Sequence, residues 1–251
     1  MILRAAEMGN GPPAVFLHGL FGQARNFASI QHAMATTHRT IALDLRNHGG
    51  SPHAPDMSYR TMAADVMETL DAMGMPPCPI IGHSMGGKTA MALALLEPKR
   101  LSKLVVVDIA PVAYAPHFEA ILAAMAAIRL DPTLTRAIAD AALAEAEPDA
   151  GVRGFLLANL QLGAAPSWRI GLKEITNAMP DISGWRFIRE RYDGPVLFVL
   201  GGRSRYVRPE HRPAIAAHFP RARLVTLKDA GHWVHADAPK PFVDTLAAAL
   251  A

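Results

Sequence analysis

Short apolar runs, each closed by a glycine-rich or polar turn, alternate along this chain with segments whose apolar residues fall three and four apart. Residues 14–17, 40–43, 79–81, 104–107, 195–200 and 223–227 read as buried strands, and residues 2–6 as a shorter edge strand. Residues 26–34, 59–73, 90–96, 210–218 and 241–250 read as helices. In the second helix Met62, Val66, Thr69, Leu70 and Met73 form one apolar stripe, preceded by Ser58 at the N-cap position. Strands alternating with helices predict a mostly parallel sheet covered on both faces.

The pattern changes between residues 110 and 190. Alanine-rich helical segments at about 117–128, 134–146 and 152–160 carry no convincing buried strand among them. The simplest reading is an all-helical insertion, residues 111–189, placed over the strand ends as a cap. The α/β core then comprises residues 1–110 and 190–251.

Composition narrows the class without naming a chemistry. With 51% hydrophobic and 19% charged residues over 251 positions, the chain has enough apolar side chains for one α/β domain and is not disordered. A net charge of +3 without Lys/Arg runs or interleaved aromatics argues against nucleic acid as a partner. Cys78 is the single cysteine, so neither an internal disulfide nor a cysteine metal cluster is expected, and its place at the start of a strand suits a small buried filler. The absence of a signal-like start and of any run near 18 apolar residues predicts a soluble, cytoplasmic protein without a membrane partner.

The chemistry concentrates in Gly82-His83-Ser84-Met85-Gly86-Gly87-Lys88-Thr89, at a strand-turn-helix junction. Two motifs fit it. Gly82-x-Ser84-x-Gly86 is the nucleophile elbow of a serine hydrolase, in which a tight turn lifts the serine above the sheet. The same residues satisfy a phosphate-binding loop, Gly82-x4-Gly87-Lys88-Thr89, with Asp108 after an apolar strand as the metal-binding acid.

Other blocks bear on the choice. His18-Gly19-Leu20-Phe21-Gly22, Asp44-Leu45-Arg46-Asn47-His48-Gly49 with Ser51-Pro52, Asp108-Ile109-Ala110-Pro111 and Ala230-Gly231-His232-Trp233-Val234-His235 occur in order around the junction. With these residues the chain resembles the α/β-hydrolases over essentially its whole length, and among them the small YbfF-type bacterial esterases. The resemblance implies the α/β-hydrolase fold with a helical cap after the strand ending at Asp108, and hydrolysis of short acyl esters or acyl-CoA thioesters, with no cofactor and no metal.

A serine hydroxyl becomes a competent nucleophile only when a base takes its proton and an acid orients that base. Ser84 is the nucleophile under this reading, and His232, on the loop after the last strand, is the base. Backbone NH groups of Met85 and Leu20 form the oxyanion hole, with Phe21 as the weaker alternative to Leu20. His18 braces its turn, and His83 is a packing residue. Most relatives carry the acid a few residues beyond the strand at 196–200, where this chain has Ser204 and no carboxylate. Asp108 is therefore expected to be the acid, with Ser204 adding a hydrogen bond to the imidazole. Phe21, Trp185 and Trp233 are candidate substrate contacts, while Met125, Phe155, Leu156, Leu160 and Trp168 suit the core of the cap as well as a pocket. Arg203, Arg205 and Arg208 suit an exposed cluster better than a phosphorylated carrier, and Lys88 is a helix residue with an anionic substrate group as its functional alternative. Asp44 shapes a loop, and Asp229 belongs to the turn before His232. A menaquinone-pathway synthase of the same fold is disfavoured by Ser204, and a carboxylate-nucleophile dehalogenase or epoxide hydrolase is excluded by Ser84. A nucleotide-binding protein or a silent binding module is the alternative of another class.

Overall fold

The computed structural model describes residues 1–250. In chain order the elements are β1 (Ala5–Met8), β2 (Pro13–Leu17), α1 (Ala28–Met34), β3 (Arg39–Leu43), α2 (Tyr59–Ala72), β4 (Cys78–His83), α3 (Met85–Leu96) and β5 (Leu101–Val107). Next come α4 (Glu119–Ala127), α5 (Arg136–Leu143), α6 (Ala150–Leu157), β6 (Leu160–Gln161), β7 (Ser167–Trp168) and α7 (Leu172–Ser183). The chain ends with β8 (Val196–Gly201), α8 (Arg212–His218), β9 (Ala222–Leu227), α9 (Val234–Asp237) and α10 (Pro239–Leu250).

Among the described residues one sheet has the order β1-β3-β2-β4-β5-β8-β9, parallel throughout except for β1. Successive residues of a strand face opposite sides, so β2 divides its residues between two cores. Val15 and Leu17 pack with Met62, Val66 and Leu93 of α2 and α3, whereas Ala14 and Phe16 pack with Phe27, Ile30, Phe242 and Leu246 of the α1 and α10 side. Both sets are buried because helices cover both faces, which is why the strand reads as a continuous apolar run.

Local signals set the element ends. Ser58 Oγ accepts from the Thr61 NH at 3.3 Å and starts α2, while Met73 forms the C-cap and is only partly buried. The edge strand starts at Ala5 rather than residue 2, because the Leu3 NH donates to Thr69 Oγ1 (2.9 Å) and the Arg4 NH to Ser51 Oγ (2.8 Å). Cys78 is buried in β4, and burial raises its thiol pKa to about 11, consistent with a filler and not a reactive thiolate.

Between β5 and β8 the structure differs in two respects from the three helices expected. Leu160–Gln161 and Ser167–Trp168 pair as a two-residue antiparallel ladder, too short to leave an alternating pattern. A further helix, α7, runs over Leu172–Ser183, obscured in the sequence by Pro180. That proline sits in the last turn, just before Gly184 ends the helix. Ile121, Leu122, Met125, Leu156 and Ile175 of this segment join the same apolar cluster as Val15 and Val106 of the sheet. No described helix is long and apolar enough to cross a membrane.

Candidate active site

The carboxyl ends of β2, β4, β5 and β8 open on one rim. Between β4 and α3, Ser84 has φ 52° and ψ −119°, a conformation that costs a residue with a side chain on the order of 1–3 kcal/mol. The neighbours make that turn possible. A Cβ on Gly82 would lie 2.2 Å from the Gly86 carbonyl oxygen, and one on Gly86 would lie 2.3 Å from that of Leu17. Only residues without a side chain let the elbow press this closely on β2.

The structure brings Ser84, His232 and Asp108 together from three loops. His232 Nε2 is 3.0 Å from Ser84 Oγ, and His232 Nδ1 is 2.8 Å from Asp108 Oδ2. A carboxylate can only accept, so Nδ1 carries the proton and Nε2 is free to take one from the serine. Asp108 is 1% exposed and itself has a positive φ of 51°. Its Oδ1 accepts from the Gly201 NH at 3.0 Å, and its Oδ2 also accepts from the Ser204 hydroxyl.

Ser204 thus differs from its expected position. Its hydroxyl serves the carboxylate and not the imidazole, because the Tyr206 NH donates to Ser204 Oγ at 3.1 Å and turns its own proton toward Asp108. The Tyr206 ring lies over His232 with centroids 3.8 Å apart at 17°. Sequence reasoning missed this stacking partner; the signal available was only an aromatic residue in the loop after β8. His83 is buried, and its Nε2 donates to the His232 carbonyl at 2.9 Å, anchoring that loop.

Two buried histidines organise the turn after β2. His18 Nδ1 donates to the Gly19 carbonyl (2.8 Å) and Nε2 accepts from the Leu45 NH (2.9 Å). His48 Nδ1 donates to the Arg46 carbonyl (2.8 Å) and Nε2 accepts from the Phe21 NH (3.1 Å). Burial, reinforced by the neighbouring His18, pushes the His48 pKa down to about 3, so the ring is neutral and can accept. The Phe21 NH is thereby committed to His48, while Leu20 borders the same cavity as Ser84. The Met85 NH, at the first position of α3, lies outside the helical ladder and carries the favourable end of the helix dipole.

A cavity of about 300 Å³ opens at Ser84 and His232, walled chiefly by apolar side chains including Phe21, Phe118, Phe155, Leu156 and Trp233. Trp185 is elsewhere. Gly184 ends α7 and directs the chain toward α2 and α8, where the indole packs on Tyr59 and Phe187 and donates to His218 Nε2 at 3.3 Å. Met125 and Leu160 belong to the core, so of the ambiguous aliphatic and aromatic residues only Phe155 and Leu156 reach this cavity.

Lys88 shows why the phosphate-loop reading does not carry over into space. Its side chain, 1% exposed, donates to the carbonyls of Ser183 (3.1 Å) and Gly184 (2.8 Å), so it secures the carboxyl end of α7. Thr89 Oγ1 donates back to the Met85 carbonyl at 3.0 Å. Arg203 bonds the Asp229 carbonyl and Arg208 pairs with Glu210 at 3.1 Å, neither lining the cavity. Asp44 accepts from the NH groups of Ala24 (2.6 Å) and Gly50 (2.8 Å) and stitches its loop to the rim.

Known proteins resemble this chain in sequence and fold. The alpha/beta hydrolase family profile matches residues 14–245. The sn-1-specific diacylglycerol lipase ABHD11 of Mus musculus is 45% identical over 249 residues, covering 96% of this chain and 81% of its own. Esterase YbfF of Escherichia coli (strain K12) is 40% identical over 236 residues, covering 94% of this chain and 91% of its own. Among solved structures, a marine microorganism esterase superposes with a TM-score of 0.95 at 35% identity, covering 98% of both chains. Sheet order, glycine-bounded elbow and sequence relationship over nearly the full length agree: the chain belongs to the alpha/beta hydrolase family.

Proposed function

We propose that the protein is a serine carboxylic-ester hydrolase working through an acyl-enzyme, with Ser84 as nucleophile, His232 as general base and acid, and Asp108 as the orienting acid. One observation carries the reading: the unbroken hydrogen-bond chain from Ser84 Oγ through His232 to Asp108, at the mouth of an apolar cavity. The esterase and lipase names of the relatives support the same class.

In the first half-reaction Ser84 Oγ bonds to the ester carbonyl carbon while its proton passes to His232 Nε2. The imidazolium is held by the Asp108 carboxylate, which also accepts from the Gly201 NH and the Ser204 hydroxyl. The NH groups of Leu20 and Met85 receive the developing oxyanion. As the bond between the acyl carbon and the alcohol oxygen breaks, His232 gives its proton to that leaving oxygen. Water, deprotonated by the same imidazole, then attacks the acyl carbon, and Ser84 regains its proton. Residues 111–189 serve as the cap that contributes Phe118, Phe155 and Leu156 to the cavity wall and sets substrate selectivity.

Other readings lack a comparable observation. Arginines that would meet a phosphorylated thioester carrier do not line the cavity, and the lysine of a phosphate loop is bound to protein carbonyls. Incubation with a fluorophosphonate probe and with p-nitrophenyl acetate, wild type against Ser84→Ala, tests the proposal. Labelling and turnover in the wild type, with both abolished in the variant, are expected. An unlabelled wild type without turnover refutes the esterase reading.

A further inference from the structure

Ser84 borders a second cavity, of about 40 Å³, which it shares with Leu20, Met85, Lys88, Tyr59 and Tyr114. His232 lines the large cavity but not this one. The distinction assigns the two spaces, because the leaving oxygen must come within reach of His232 to be protonated. The alcohol part therefore occupies the large cavity, and the small one remains for the acyl part. A single water needs roughly 10–15 Å³ on this measure, so the small cavity admits only a short acyl chain.

At its side stands a buried cation. The Lys88 ammonium, on a side chain 1% exposed, is bonded to two carbonyls at 2.8 and 3.1 Å and lies 4.9 and 5.4 Å from the ring centres of Tyr114 and Tyr59. Those partners are neutral, and an ammonium has three N–H bonds, so one donor is uncommitted. Charged groups removed from water are ordinarily matched by an opposite charge. We propose that the small cavity is an acyl-side anion subsite, in which the third N–H of Lys88 receives the terminal carboxylate of a short dicarboxylic half-ester. Desolvation without a compensating charge lowers the Lys88 pKa to about 7, a penalty that a bound carboxylate offsets.

The inference rests on Ser84 being the nucleophile, and the test separates the two. Purified wild-type protein and Lys88→Met are assayed with ethyl hydrogen succinate and with its uncharged isostere, ethyl 4-methylpentanoate. The expected result is a wild-type kcat/KM at least as high for the half-ester as for the isostere, with that ratio falling tenfold or more in Lys88→Met. A wild type that hydrolyses only the neutral ester, or a variant that loses both activities equally, overturns the subsite and leaves Lys88 as a structural clasp for α7. Should Lys88→Met not fold, the wild type decides alone. Succinamate should inhibit p-nitrophenyl acetate turnover at least tenfold more strongly than succinamide, and equal inhibition overturns the proposal. Failure of fluorophosphonate labelling identifies an error in the catalytic reading instead.

Discussion

The ends of β5 and β8 are adjacent, parallel and in register at Val107 and Val199, yet one loop carries a carboxylate and the other a hydroxyl. They behave as one unit. The Asp108 NH donates to the Val199 carbonyl at 2.9 Å, while Gly201 at the end of β8 and Ser204 of the loop after it bind the two oxygens of Asp108. A Cβ on Gly201 would lie 2.0 Å from the Gly231 carbonyl oxygen, so this glycine lets the β8 end press against the loop bearing His232. Asp108 Oδ2 meets the imidazole at Nδ1, and Ser204 of the neighbouring loop lies one hydrogen bond away, on that same oxygen. What the chemistry requires is an acceptor at that nitrogen, and the neighbouring strand can supply the hydrogen bonds that hold it.

The division of labour between these loops can be broken in graded steps. Asp108→Asn should lower kcat by about 10³–10⁴-fold, since an amide no longer enforces the productive tautomer. A loss below tenfold, in a protein with wild-type circular dichroism, would mean that the acid lies elsewhere. Moving the carboxylate across should restore part of the rate. Asp108→Ser combined with Ser204→Asp is expected to exceed Asp108→Ser alone by at least tenfold in kcat/KM, and no recovery would show that the β8 loop cannot deliver an acid.

A third expectation concerns the neutral histidines beneath the rim and is read in stability. An unfolded histidine titrates near 6.5, whereas burial, aided by His18, holds His48 at about 3. The unfolded chain then binds the proton first, so the contribution of His48 to stability is complete above about pH 6.5 and is lost as pH falls toward 3. Between pH 6.5 and 5 the loss from this one group should be about 2 kcal/mol. Urea midpoints should fall over that interval and fall less in His48→Asn; parallel curves would refute the assignment. The smallest effect is expected for Ser204→Ala, about tenfold in kcat, or ~1.5 kcal/mol, for one hydrogen bond to a buried carboxylate. If Ser204→Ala proved as damaging as Asp108→Asn, the two loops would not have the unequal roles proposed.

Legibility followed the range of the interaction. The strands were readable because fully buried parallel strands carry continuous apolar runs, and the elbow because its glycines meet backbone at distances no Cβ tolerates. Sequence order pointed to Ser84, His232 and Asp108, three residues that end close together although widely separated in the chain. Trp185 was misplaced because nothing local says which way a chain leaves a helix end. Tyr206 and the direction of the Ser204 hydroxyl were hidden for a similar reason: stacking and proton orientation depend on the neighbouring strand end. The α7 helix was obscured by Pro180, although a proline in the last turn of a helix is compatible with its fold.

By itself the amino-acid sequence determined the alternation of strands and helices, the glycine-bounded turn around Ser84 and the absence of a carboxylate after β8. These follow from periodicity, steric exclusion and residue identity, each of which acts over a few neighbouring positions. Only the tertiary structure decided that Lys88 clasps the end of α7, that His48 withdraws the Phe21 NH, and that Ser204 serves Asp108 rather than His232. A hydrogen bond has one donor direction and a reach near 3 Å. Which partner lies there is set by how distant segments pack, and no local pattern encodes it.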